Sequence, residues 1–149
     1  MIRYDRLAHE FVANVPERLE PGRLYISIEY ATAAHLCCCG CGAEVVTPFT
    51  PTDWKMTFDG ETISLWPSIG NWNEACRSHY VIDRSEVIEA PPWSDRRIEA
   101  ESKRDKAAKG RFYRRLSDRK SDVPVPATVG VQEPLNVWSR AKRWLKDWS

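Results

Sequence analysis

The chain has 149 residues, of which 42% are hydrophobic and 29% charged, and its formal net charge is +1. These values are typical of a folded domain with its own core, and no apolar run reaches the roughly 20 residues that cross a bilayer. The N-terminus carries acidic residues and no apolar stretch, which excludes a secretory signal and makes the cytoplasm the expected location.

Charge divides the chain into two regions. Residues 1–93 carry 7 Lys or Arg and 13 Asp or Glu, whereas residues 94–149 carry 15 and 8. An acidic front and a basic tail indicate two regions with different partners. We therefore expect a domain over residues 1–93 and a basic extension over residues 94–149.

The front half has the alternation of apolar and polar residues that predicts strands. One pair of strands is expected to form a hairpin that turns at Asp59-Gly60, a favoured two-residue turn. Residues 67–79 are predicted to be a loop, because Pro67 and Gly70 interrupt them. In chain order, strands are predicted over residues 23–30, at residues 45–46, in a hairpin over residues 54–66, and over residues 80–90.

The tail has the composition of helices. A helix is predicted over residues 94–120, with Ser94 as its N-cap and a break or bend at Gly110. Residues 121–134 contain three prolines and predict a linker. Residues 135–149 predict an amphipathic helix with Trp138, Trp144 and Trp148, which either docks on the protein or presents a binding anchor. The fold class is thus mainly β with a helical extension, α+β overall.

Five cysteines and one histidine form a pattern typical of a zinc site. Neighbouring cysteines cannot readily form disulfides with each other, and bunched cysteines in a chain without an export signal favour metal binding. Zinc sites draw tetrahedral ligands from two separated turns. Glycines 40 and 42 allow positive φ in the first turn. The candidate ligands are Cys37, Cys39, Cys41, Cys76 and His79.

Five candidates compete for four places. The preferred set is Cys39, Cys41, Cys76 and His79, because C-x-x-H is a usual zinc-ligand spacing, and Cys37 is the main rival. Cys38 points the other way on an extended chain and is disfavoured. Four protein ligands would make the zinc structural, the preferred interpretation, whereas three would leave a place for a catalytic water.

The string HLCCCGCGAEVV, followed by SLWPSIGNW and CRSHYVI, resembles the bacterial family catalogued as domain of unknown function 6527 (DUF-6527). The resemblance spans residues 35–82. Members of that family tend to be encoded beside ubiquitin-like proteins and their conjugating enzymes. The resemblance implies a peptidase that processes or removes a ubiquitin-like protein, in a pathway that can serve antiphage defence.

Two hydrolytic routes are open to these residues. An open zinc can activate water while a carboxylate such as Glu74 moves protons. Alternatively, a serine attacks the scissile carbonyl and a histidine takes its proton. Ser68 and Ser78 are the candidate nucleophiles and His35 the candidate base, although the G-x-S-x-G motif is absent.

Two further interpretations compete with a peptidase. The first is a non-catalytic zinc-ribbon-like adaptor that binds a partner of the same pathway. The second, ranked last because the zinc half is acidic, is nucleic-acid binding through the basic residues 111–120. A solvated helix face explains those residues more simply.

Overall fold

A computed structural model of the chain describes residues 1–121. These residues form eight strands followed by one helix. The elements are β1 (Ala8–Phe11), β2 (Arg23–Ser27), β3 (Thr32–Leu36), β4 (Glu44–Pro48), β5 (Lys55–Phe58), β6 (Ile63–Gly70), β7 (His79–Asp83), β8 (Glu86–Glu89) and α1 (Asp95–Ser121).

The strands make two four-stranded sheets, in the orders β1-β2-β3-β4 and β5-β6-β7-β8. All neighbours are antiparallel except β1 and β2, which run parallel. Apolar side chains of both sheets join in one buried core that includes Leu24, Ile26, Leu65, Tyr80 and Ile82. Burial of this apolar surface is the main force that holds the sheets together. The predicted fold class, mainly β with a C-terminal helix and α+β overall, is confirmed.

Two parts of the strand prediction are wrong. Residues 67–70 belong to β6 and are not a loop, because the strand continues past Pro67 by means of a bulge. Strands β1 and β3 were not predicted. The sequence of β3, TAAHL, is buried at its three central positions and so lacks the alternation that marks a half-exposed strand.

The predicted tail helix begins as expected. The Ser94 side chain accepts a hydrogen bond from the Arg97 N–H at 3.4 Å, and α1 continues through Gly110 without a break. Residues Met1–Tyr113 form one compact unit. The predicted linker at 121–134 and the helix with Trp138, Trp144 and Trp148 lie outside the described residues, apart from residue 121, where α1 ends. No helix within residues 1–121 is long and apolar enough to cross a membrane.

The turn between β5 and β6 spans four residues and is held by Asp59. Its carboxylate accepts hydrogen bonds from the Thr62 hydroxyl at 2.6 Å and from the backbone N–H groups of Thr62 and Glu61 at 2.6 and 2.9 Å. The Thr62 hydroxyl and these N–H groups lower the pKa of Asp59 from 3.8 to about 2. The ionised carboxylate therefore stabilises the folded state.

This lowered pKa predicts a pH-dependent contribution to stability. A carboxyl whose pKa is lower in the folded state stabilises it above the unfolded value, and this contribution is lost as the pH falls towards the folded value. Urea unfolding should show Asp59→Asn less stable than the wild type at pH 6, with the difference closing between pH 4 and about 2. A constant difference for Asp59→Asn would contradict the prediction.

Candidate active site and metal centre

Ser68 lies in a bulge of β6. The ladder to β7 pairs Leu65 with Ile82 and Ile69 with Tyr80. The three residues 66–68 of β6 therefore lie opposite a single residue of β7, Val81. Pro67 has no N–H to give to the ladder, and strand prolines are tolerated at such irregularities. Bulges often aim a side chain at a functional site. Here the bulge leaves Ser68 half-buried at the wall of a cleft.

His79 meets Ser68 across the same pair of strands. Gly70 pairs with His79, the first residue of β7. Ser68 precedes Gly70 by two residues, and residues two apart on a strand share a face, so Ser68 is a diagonal neighbour of His79. The Ser68 Oγ lies 2.9 Å from the His79 Nε2, within hydrogen-bond distance.

The contact at the second ring nitrogen of His79, Nδ1, determines which tautomer the ring adopts. Its Nδ1 lies 2.7 Å from the carbonyl oxygen of Pro91. The N–H of Ala90 donates to the His79 carbonyl at 2.8 Å, which brings the chain after β8 beside the histidine. A carbonyl can only accept, so Nδ1 carries the proton and donates it. Nε2 is then free to accept the Ser68 hydroxyl, as a general base must.

The cleft at Ser68 is formed by two cavities of about 330 and 300 Å³, and α1 contributes side chains to both. The Lys109 ammonium of α1 forms an ion pair with Asp53 at 2.6 Å, which fixes the helix, and a second pair within the helix with Asp105 at 2.9 Å. The helix is therefore one wall of the cleft. The first cavity is lined by Ser68, His79, Gly70, Trp72, Trp93 and Ile98, among others, and the second by Ser68, Pro67, Asp53, Glu101, Asp105 and Lys109, among others.

Four cysteine sulfurs form a separate group that can hold a metal ion. The Sγ atoms of Cys37, Cys39, Cys41 and Cys76 all lie within 4.8 Å of one another. Three come from the turn after β3 and one from the turn before β7. Measured separations of 3.3, 3.7 and 3.9 Å bracket the roughly 3.8 Å expected between thiolates on one tetrahedral zinc. Gly40 and Gly42 adopt φ of 85°, as the turn prediction required.

Hydrogen bonds around the sulfurs suit a thiolate site. Burial raises the pKa of the Cys76 thiol, but hydrogen bonds from Ser78, Cys39 and Cys41 outweigh it and lower the pKa to about 7. Burial and hydrogen bonds with neighbouring thiols raise the pKa of Cys39 to about 12. Sulfurs this close cannot all lose their protons unless a cation lies among them. Since thiolates are the metal-binding form, the group fits a bound cation.

The structure does not bring His79 into the group of four sulfurs. The C-x-x-H spacing placed it among the zinc ligands, yet His79 lies outside the group of four sulfurs, and both its ring nitrogens bond elsewhere, to Ser68 and Pro91. Cys37 takes the fourth place in the group instead. Cys38 also lies outside it, fully buried, where burial raises its pKa to about 12.

The other catalytic candidates lie in different surroundings. His35 is 0% exposed, its Nε2 is 2.9 Å from the Tyr80 hydroxyl, and burial lowers its pKa to about 4. The Ser78 Oγ lies 3.0 Å from the Cys37 Sγ, at the metal group. Glu74 is exposed in the turn before β7, where its N–H donates to the Asn71 carbonyl. Among the residues named as candidates, only Ser68 and His79 meet as nucleophile and base.

A serine hydroxyl held by a histidine, whose far nitrogen is fixed by an acceptor, is the arrangement of a serine hydrolase. A family model described as "Bacterial ubiquitination-like system serine protease (BubE)" matches residues 11–90. This match covers more than half of the chain, and the chain belongs to that family. No curated protein and no solved structure gives a match.

The matched family agrees with the expected link to ubiquitin-like conjugation. Its name differs from that of the family expected from the sequence, domain of unknown function 6527. The sequence interpretation missed the Pro91 carbonyl, because a backbone acceptor has no sequence signature. It also missed the pairing of Ser68 with His79. The signal was present in principle, since a hairpin with residues 67–70 in its first strand and His79 in its second brings the two side chains together.

Proposed function

We propose that this chain is a serine protease that cleaves a ubiquitin-like protein from an extension or a conjugate, with Ser68 as nucleophile and His79 as general base. The observation that carries the proposal is the hydrogen-bonded series from the Ser68 hydroxyl through the His79 ring to the Pro91 carbonyl. The family to which the chain belongs supports the reaction class.

The reaction proceeds in two halves. The Ser68 Oγ attacks the scissile carbonyl while its proton moves to the His79 Nε2, which forms an imidazolium. The Pro91 carbonyl accepts the Nδ1–H throughout and keeps the ring oriented. The tetrahedral intermediate expels the amine, which takes the proton from Nε2 and leaves an acyl-serine. Water then attacks this ester, again with His79 as base, and releases the carboxylic acid and Ser68.

The metal in this proposal is zinc, held by the thiolates of Cys37, Cys39, Cys41 and Cys76. Thiolate-rich sites with four protein ligands are usually closed and structural. When bound, the ion would cross-link the turn after β3 to the turn before β7. The chain's own residues support that role: the Asn71 amide donates to the Cys37 Sγ at 3.1 Å, and the Ser78 hydroxyl lies 3.0 Å from it.

The cleft favours an extended peptide as the part of the substrate that reaches Ser68. Cavities of about 330 and 300 Å³ have room for a few residues of chain but not for a folded domain. A C-terminal tail, or a tail joined to another protein, meets that requirement. The ubiquitin-like partner is supported by the family description, and the cleft supports entry by its tail.

The proposal predicts cleavage of a ubiquitin-like protein with a C-terminal extension. We expect the purified chain to release the extension, with mass spectrometry locating one cut at the C-terminus of the ubiquitin-like domain. His79→Gln should abolish release, whereas Glu74→Gln, which removes the carboxylate of the zinc-water route, should cleave at the wild-type rate. Intact substrate that nevertheless binds the chain would favour the adaptor over the protease.

Antiphage defence, a cytoplasmic location and contact of residues 111–120 with nucleic acid stay predictions. Binding to nucleic acid through phosphates would weaken steeply with added salt, which distinguishes it from a solvated helix face.

A further inference from the structure

The ring of His79 packs against two tryptophans that also contact each other. The Trp72 indole lies 4.9 Å from the imidazole and the Trp93 indole 5.0 Å from it, measured between ring centroids. The two indoles stack on each other at 5.4 Å with an angle of 20° between their planes. The three rings thus contact one another pairwise, and His79 is left only 7% exposed. We call Trp72 and Trp93 the indole clamp.

Each tryptophan of the clamp is held by a further contact. A Cβ at Gly70 would overlap the Trp72 indole, so glycine at this position lets the indole lie against the strand pair that carries His79. On the other side, the Arg97 guanidinium stacks over the Trp93 ring at 4.3 Å from the first turn of α1. Trp93 and α1 follow residues 11–90, to which the family model matches. The region beyond the match therefore completes the surroundings of His79.

Two hydrogen bonds do not by themselves fix an imidazole ring. Bonds at Nδ1 and Nε2 define one axis, and the ring can still tilt about it and move along it. Two indoles packed against the ring oppose that movement, because packed side chains resist displacement. Their packing on the ring also limits the contact of His79 with water.

We propose that Trp72 and Trp93 are positioning residues that hold His79 against Ser68, an inference that rests on the proposed function of that pair. Gly70 serves the same end by making room for Trp72. Misplacement of a catalytic group by about 1 Å can cost on the order of 10²-fold in rate. The clamp should therefore act on the turnover number kcat more than on KM.

The test compares leucine and phenylalanine at each clamp position. Trp72→Leu and Trp93→Leu should lower kcat by on the order of 10²-fold with KM changed little, and the phenylalanine variants should recover most of that loss. Gly70→Ala should resemble Trp72→Leu, which provides a second route if that variant fails to fold. Tyr30→Leu is the control: Tyr30 is 61% exposed, in the turn between β2 and β3 and outside the clamp, and kcat should not change.

A second measurement does not require substrate. A long-range ¹H–¹⁵N spectrum of the imidazoles should show the wild-type His79 in a single tautomer with the proton on Nδ1, and the leucine variants with an averaged ring signal. A raised KM with unchanged kcat, or an unaltered His79 signal in folded leucine variants, would overturn the inference. A wild type that shows the fixed tautomer but cleaves no substrate would instead contradict the proposed function and leave the clamp standing.

Discussion

Ser68→Ala is expected to lower the turnover of a ubiquitin-like substrate by on the order of 10⁴- to 10⁶-fold, the range found when a serine nucleophile is removed. The reason is that no hydroxyl remains 2.9 Å from the His79 Nε2 to attack the carbonyl. Substrate binding should persist, because the cavity walls are unchanged. Steady-state kinetics for the rate, together with a binding assay on the variant, would measure both effects.

Two serines provide matched controls for this loss. Ser64 lies on the same strand and bonds to Asp83, so Ser64→Ala should keep turnover within a few fold of the wild type. Ser78→Ala removes a hydrogen bond to the Cys37 sulfur and should change metal affinity more than chemistry. A Ser78→Ala protein that keeps its metal but loses all turnover would contradict the assignment of Ser68.

Cys76→Ser is expected to lose the bound metal and much of the protein's stability. Its sulfur is the one member of the group of four that comes from the turn before β7, and the other three come from the turn after β3. Binding of a structural zinc is coupled to folding, so its loss should lower the melting temperature by more than about 10 °C. Metal analysis should find about one zinc per wild-type chain and almost none in the variant.

Cys38→Ala is the matched control, because Cys38 sits beside the ligands in sequence but is buried outside the group of four sulfurs. It should keep the full zinc content. His79→Gln should keep it too, since His79 bonds to Ser68 and Pro91. Loss of zinc from His79→Gln with retention in Cys37→Ser would restore the ligand set that the C-x-x-H spacing favoured.

Periodicity predicted the strands whose sequences alternate between apolar and polar residues. The strand at 23–30 and the hairpin around Asp59-Gly60 alternate, and β2, β5 and β6 lie there, although the turn takes four residues. Strand β3 could not be recognised because its centre is buried without alternation. Pro67 and Gly70 predict a loop, whereas a bulge allows a strand to contain the proline, and contact with Trp72 explains the glycine.

The sequence predicted the candidate residues of the site but not the contact between Ser68 and His79. Cys37, Cys39, Cys41 and Cys76 were all candidates, and local spacing indicated their chemistry. The C-x-x-H spacing, with two residues between Cys76 and His79, indicates a metal ligand, and spacing cannot tell that a strand begins at His79 and turns its side chain towards β6. The Pro91 acceptor and the contact with Trp93 depend on tertiary structure, so composition and spacing carry no sign of them.

The most direct measurement is the site of modification by a fluorophosphonate, a reagent that reacts with activated serines. The protein should be treated with the reagent, digested, and examined by peptide mass spectrometry. We expect a single adduct on Ser68 in the wild type and none in His79→Gln, because attack requires the His79 base. An adduct on Ser78 or another serine, or cleavage of substrate by a protein whose Ser68 stays unmodified, would contradict the assignment.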